Sequence, residues 1–263
     1  MKRKLFVVTL FVYSIVTIKV MGQTVTLDHH FNRETCTNKA GQPERFHYLW
    51  EDTANTGFSK WGEIFKLQGA ILSTLEVAPT AVNLKGIVVY IIVDPDSKKE
   101  NPLPNYITKA DAENIAQWVK AGGKLVLMAN DSANVELPNF NILAGKFGLH
   151  FNNDMQNHVV DDAHFEDGAT LIRHNFVFKT ARKVFMKDVC SIALTGSAKS
   201  ILKSANGSTI AAIVRYGKGT IFAVGDPWLY NEYVNGRLPA GFDNDKAAIE
   251  LTTFLLSHKK LNQ

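Results

Sequence analysis

Two stretches of the chain are almost unbroken runs of aliphatic and β-branched residues: "GIVVYIIVD" at 86–94 and "KLVLMAND" at 124–131. Such runs mark strands buried on both faces. Between them, "TKADAENIAQWVKAGG" switches to helical spacing. Ile115, Trp118 and Val119 form the apolar stripe, Thr108 stands as N-cap with Asp111 three residues on, and Gly122-Gly123 end the segment. Upstream, "FSKWGEIFKLQG" predicts a short helix capped by Ser59, and "AILSTLEV" a strand. Downstream, "NFNILAGKFG" predicts a short helix and "LHF" a short strand. "STIAAIVRYGKGTIFAVGD" predicts a hairpin turning at 217–219. "NDKAAIELTTFLLSH" predicts a closing amphipathic helix that starts at Asn244 or Asp245. Alternation of strand and helix predicts an α/β layered fold with a mostly parallel sheet. Residues 23–58 are polar and aromatic with weak periodicity. They predict an ordered segment wrapped around a domain that spans 59–263.

The beginning of the chain follows another pattern. "MKRK" precedes an apolar run over 5–18, and Val20 and Gly22 supply small residues before Gln23. This pattern predicts a secretory signal peptide over 1–22 and an exported, periplasmic or extracellular protein. The run of about 14 residues is short of the ~20 that span a bilayer.

Export changes the charge picture. The whole chain has a formal net charge of +4, with 29 basic and 25 acidic residues. Lys2, Arg3, Lys4 and Lys19 all lie in 1–22, which holds no acid, so the remainder carries 25 of each sign. No basic patch argues for nucleic acid. The chain has 263 residues, 46% of them hydrophobic, enough for a core without a metal or disulfide staple. Cys36 and Cys190 could pair in an exported protein or stay as two separate thiols.

Ligands of open α/β sheets bind outside the carboxyl ends of the strands. Here those ends read "VDPD" (93–96), "MAND" (128–131) and "VGDPW" (224–228). Asp226, Asp131 and Asp94 are the candidate acids and bases. Asp96, Asn130, Trp228, Tyr230, Glu232, Trp50 and Tyr106 are candidate binding residues, with Tyr48 able to reach the same rim. Converging carboxylates suit sugar hydroxyls, an acid/base pair or a calcium ion held by oxygen ligands. No other cofactor is expected. Each tip also reads as ordinary Asx turn chemistry. No zinc-ligand spacing, no G-x-S-x-G elbow and no phosphate-binding glycine loop is present, which leaves nucleotides without a motif.

The segments "VYIIVDPD", "ITKADAENIAQWVKAGGKLVLMAND" and "YGKGTIFAVGDPW" resemble a class I glutamine amidotransferase-like domain. With "HYLWEDTANTGFS", "NPLPNY" and "GDPWLYNEYVNGRLP", the chain resembles a family of unknown function in Bacteroidetes. That family stands beside or fused to unsaturated rhamnogalacturonyl hydrolases. The resemblance covers most of 28–257. It implies a flavodoxin-like sheet with helices on both faces, a setting in polysaccharide utilisation, oligosaccharide ligands, and a polysaccharide-degrading enzyme as partner. The superfamily nucleophile would follow the strand at 124–131, where this chain has Asn130 and Asp131. The superfamily histidine would fall near Asp226-Pro227. Neither residue type matches, so no glutaminase activity is expected. A hydrolase using an Asp pair, and a structural domain without a small-molecule site, are the rival expectations.

The mature protein is predicted to begin at or near Gln23. Mass spectrometry of exported protein checks this, and a product that retains 1–22 would contradict it.

Overall fold

The computed structural model describes residues 22–130 and 134–257. The expected signal peptide, apart from Gly22, and the candidate acid Asp131 lie outside the described residues.

In chain order the elements are β1 (Thr24–Asp28), β2 (Thr35–Thr37), β3 (Pro43–Arg45), α1 (Ser59–Leu67), β4 (Ile71–Leu75), β5 (Ile87–Val93), α2 (Lys109–Ala121), β6 (Lys124–Met128), α3 (Leu137–Gly145) and β7 (Leu149–Phe151). There follow β8 (Ala169–Leu171), β9 (Lys183–Phe185), β10 (Ile192–Leu194), β11 (Lys199–Lys203), β12 (Thr209–Tyr216), β13 (Gly219–Val224), α4 (Asn231–Val234) and α5 (Asn244–Leu256). Seven strands form one sheet in the order β11-β12-β13-β6-β5-β1-β4. The five from β13 to β4 run parallel, so their carboxyl ends share one edge. Counted along the chain, these five stand in the order 2-1-3-4-5. β12 is antiparallel to β13, and β11 to β12.

Strand periodicity divides the core. In β5, Val89, Ile91 and Val93 face one side while Tyr90 and Ile92 face the other. β6 and β13 alternate in the same way. The first side packs on Trp61 and Phe65 of α1 and on Ala248 and Leu251 of α5. The second packs on Ile115 and Val119 of α2 and on Phe140 and Leu143 of α3. Helices therefore cover both faces, as expected.

Local signals account for most boundaries. Thr108 Oγ1 accepts from Asp111 N at 3.2 Å and Asp111 Oδ2 from Thr108 N at 3.0 Å, closing the predicted capping box. Ser59 does not cap α1 as expected. It is the first helical residue, and its hydroxyl accepts from Asn231 Nδ2 at 3.0 Å. A larger correction concerns 23–58. This segment is not all wrapping, because β1 lies inside the sheet between β4 and β5. Val25 and Leu27 are fully buried on one face, and Thr26 Oγ1 pairs with Ser73 Oγ at 2.7 Å. Only the stretch from His29 to Phe58 crosses over the carboxyl edge. The two cysteines are both free: Cys36 on β2, Cys190 buried.

The strand order reverses between β1 and β5, the position at which doubly wound sheets open a crevice. This crevice is filled by the chain itself. Asn32 Nδ2 donates to Asp94 O at 2.8 Å, and Asp96 N to Phe31 O at 2.9 Å.

At the opposite edge, Lys124 Nζ donates to Leu255 O and Ser257 O, each at 2.6 Å, closing the carbonyl end of α5. Burial lowers its pKa to about 8. Lys124→Met is predicted to cost about 1–3 kcal/mol by leaving those carbonyls without a donor. Denaturant melts check this, and an unchanged midpoint would contradict the capping role.

Candidate functional site

Asp94 follows the last residue of β5 and is 1% exposed. Tyr48 OH donates to its Oδ2 at 2.6 Å, and Asn130 N donates to its Oδ1 at 3.1 Å. Tyr48 OH also lies 3.2 Å from Tyr230 OH. The rings of Tyr48 and Tyr230 stack 5.5 Å apart, and His47 stacks on Tyr48 at 4.0 Å. Two strand tips and the crossing segment thus meet at one carboxyl group.

The backbone bends to make this meeting. Among the described residues, five non-glycine residues have left-handed φ: His47 (69°), Tyr48 (56°), Asp94 (33°), Asn157 (54°) and Asp188 (52°). The first three are bonded or stacked together around Asp94. Asp188 N donates to Asn157 O, and its neighbour Lys187 donates to Asp226. Such conformations cost on the order of 1–3 kcal/mol each and concentrate at functional sites.

Asp226 follows β13 by one residue and is 2% exposed; Lys187 N donates to its Oδ2 at 3.1 Å. Gly225 sits where a side chain is impossible, because a Cβ there would meet Cys190 O at 1.9 Å. Burial pushes the carboxyls of Asp94 and Asp226 well above the ordinary range, and the charge of Asp226 adds to the effect on Asp94. Burial likewise raises Asp28, at the tip of β1, to about 7 despite the 2.5 Å bond from Tyr90 OH. In each case burial favours the protonated carboxyl, which can donate as well as accept a hydrogen bond.

The other candidate residues divide. Asn130 is brought to Asp94, and its Oδ1 is buried with no hydrogen-bond partner among the described residues. Tyr230 joins the site through Tyr48. Asp96 is 1% exposed and lies under the crossing segment; Arg33 N and Asn101 Nδ2 donate to its Oδ2 at 2.9 and 2.8 Å. Glu232 is held by Arg237 at 3.0 Å. Tyr106 stands on the loop before α2, 37% exposed. Trp228 is a correction. It is fully buried against Phe178 in the core, so its ring offers no face to a sugar. Trp50 is another. Its Nε1 donates to Ser73 O at 3.0 Å, halfway along edge strand β4, and its ring packs on Trp61 and Phe65. It lines a shallow groove of about 640 Å³ along that edge strand, with Glu51 and Lys66.

Several residues of "GDPWLYNEY" therefore build a corner. Asn231 Oδ1 accepts from Lys60 N, while its Nδ2 donates to Asp52 O and Ala54 O, tying the stretch to the crossing segment. Two residues important to the site carried weaker signals in the sequence. Tyr48 and His47 sit in an aperiodic stretch, and only the density of aromatics in "FHYLW" points to them.

Cys190 Sγ lies 3.1 Å from Ala129 O, just after β6. Burial pushes this thiol far up, and Asp94, Asp154 and Asp226 push the same way when ionised. A nucleophilic thiol needs the reverse setting. Among the described residues, no three or more His, Cys, Asp or Glu side chains gather so as to hold a metal ion. No helix there is long and apolar enough to cross a membrane.

No protein-family model and no curated protein matches the chain. Solved structures do. The mmIFT52 N-terminal domain has a TM-score of 0.66 at 15% identity, over 90% of this chain and 99% of that one. Cytoplasmic Protein STM1381 from Salmonella typhimurium LT2 has a TM-score of 0.60 at 11% identity, over 90% of this chain and 100% of that one. At such identities the likeness is one of fold: a mixed α/β domain with a mostly parallel central sheet.

The raised carboxyl pKa values set the direction of the pH dependence. Asp28, Asp94 and Asp226 bind protons more tightly in the folded chain than in the unfolded one. The contribution of Asp28 is present below about pH 4 and is lost as pH rises through about 7, and those of Asp94 and Asp226 run in the same direction. Glu76 and Asp243 shift the opposite way, Glu76 at a half-exposed position where solvent screens it. Tm is predicted to be higher at pH 5 than at pH 8, and Asp226→Asn to flatten the difference. A Tm that rises from pH 5 to 8 would contradict this assignment.

Proposed function

We propose that this chain is an exported, non-catalytic binding protein of polysaccharide utilisation. It takes oligosaccharides of the pectin or rhamnogalacturonan type at the carboxyl edge of a flavodoxin-like, glutamine amidotransferase-like sheet. The observation that carries this reading is the buried polar cluster at the strand tips. Asp94, held by Tyr48 and Asn130, lies beside the unpartnered carbonyl oxygen of Asn130. A buried acceptor without a donor costs about 1–3 kcal/mol, which a ligand hydroxyl would offset. Neutral carboxyl groups also do not repel uronates, so an acidic oligosaccharide needs no bridging cation. The strand order 2-1-3-4-5 supports the flavodoxin-like assignment. The sequence resemblance supplies the polysaccharide setting and a polysaccharide-degrading enzyme as partner.

Hydrolysis by an Asp pair fits less well. Glycosidases need one protonated and one ionised carboxyl. Here burial moves Asp94 and Asp226 in the same direction. Glutaminase chemistry fits less well still, given the environment of Cys190. A structural domain without a small-molecule site is the second reading, favoured by the burial of Trp228 and the four contacts of the Asn231 amide.

Calorimetry with oligogalacturonides and rhamnogalacturonan oligosaccharides, with and without calcium, tests the proposal. Wild type is expected to bind, and Asn130→Ala to weaken binding about tenfold, equivalent to ~1.4 kcal/mol, without lowering Tm, since it removes the unpartnered buried acceptor. Absence of binding across the panel, or binding indifferent to Asn130→Ala, would leave the structural reading in its place.

A further inference from the structure

The central sheet has two edges, and they differ. At one end β11, "KSILK", begins and ends on lysine, and two register shifts interrupt its pairing with β12. Charged residues and bulges of this kind keep an edge strand from pairing further. At the other end β4, "ILSTL", has no charge and no proline, and its register with β1 is regular over all five residues. Ile71 N donates to Gln23 O and Leu75 O accepts from His29 N, each at 2.9 Å, so alternate residues from Ile71 turn their backbone groups toward β1. Leu72 and Thr74, between them, turn theirs outward, and among the described residues no strand lies beyond. The groove of about 640 Å³ runs along this edge, lined by residues 70–74. Leu67, 86% exposed, and Ile71, 52% exposed, stand at its amino end.

We propose that β4 is a dimerisation edge, which pairs antiparallel with β4 of a second copy of this chain to make one continuous sheet. The choice of a second copy rests on charge. Lys66 lies in the last turn of α1, where Ala70 N donates to Phe65 O, so it marks the amino end of the groove. Glu51 marks the other end. It follows Trp50, which bonds to Ser73 O, and precedes Asp52, whose carbonyl accepts from Asn231 Nδ2 beside the first turn of α1. Both residues are exposed, and neither belongs to an ion pair among the described residues.

A two-fold axis reverses the groove, so Lys66 of each copy meets Glu51 of the other. With the axis at Ser73, Leu72 of one copy faces Thr74 of the other, and each such pair exchanges both backbone hydrogen bonds. The exposed Leu67 and Ile71 then lie toward Val77 of the second copy, itself 52% exposed. The arrangement is closed, so assembly stops at two. The inference is independent of the oligosaccharide reading. β4 lies two strands from β5, and the Asp94 tips of the two copies point in opposite directions and take no part in the contact.

Sedimentation velocity of the protein over a micromolar-to-millimolar concentration series tests it. Wild type is expected to show a reversible monomer–dimer equilibrium. Lys66→Glu and Glu51→Lys should each weaken dimerisation about tenfold or more, since the two-fold doubles each change and sets like charges face to face. Combining the two reversals should bring dimerisation back to within about threefold of wild type. Thr74→Pro removes an outward N–H and leaves the ladder to β1 intact, so it should give a folded monomer. Circular dichroism checks its folding, and the charge reversals, made at exposed residues, carry the test even if the proline variant unfolds. A wild type that stays monomeric, assembly that continues past the dimer, a dimer indifferent to Lys66→Glu, or a double reversal that remains dissociated would each overturn the proposal.

Discussion

A carboxyl group at the end of a central strand has no water to solvate it. Asp94 closes β5 in the middle of the sheet, and burial makes its ionised form costly. The Tyr48 hydroxyl answers that constraint, and much of the carboxyl edge is arranged to deliver it. Residues 29–58 cross the edge, His47 and Tyr48 take left-handed conformations, and Tyr230 backs the phenol from the other side. The corner after β13 then locks the crossing segment through Asn231. A single desolvated acid thus connects sheet topology, backbone strain and the candidate site.

The same constraint decides what chemistry the edge can perform. Ionised acids at the strand tips would call for metals or cations. Acids kept neutral by burial behave as hydrogen-bonding groups, suited to polyols rather than to charge stabilisation. Asp96, beneath the crossing segment, is as buried as Asp94, and there burial raises the carboxyl to about 6. Burial thus raises the carboxyls of Asp94, Asp226 and Asp96 alike along this edge.

Parts of this were legible in the sequence because they depend on local pattern. β5, β6 and β13 are buried on both faces, so their aliphatic runs stand out, and the Thr108–Asp111 box marks the start of α2 without ambiguity. The positions of Asp94, Asn130 and Asp226 at one edge followed from those strands. β1 escaped because "TVTLD" is five residues long and half polar, and its place inside the sheet depends on partners far along the chain. Strands β8 to β10 have three residues each, too few to show a period. Trp228 was misjudged because its exposure is settled by Phe178, from a stretch without periodicity. The upward shift of the tip carboxyls was not legible at all, since it comes from burial beneath a segment whose path no local signal describes.

The central claim is that Asp94 is neutral in the folded protein at neutral pH. The most direct measurement is a carbon-detected NMR titration of the aspartate side-chain carboxyls, with Asp94 assigned by loss of its signal in Asp94→Asn. The account predicts a carboxyl resonance that stays at its protonated position through pH 7, while exposed aspartates titrate near 4. An Asp94 carboxyl that ionises with those exposed groups would contradict the account.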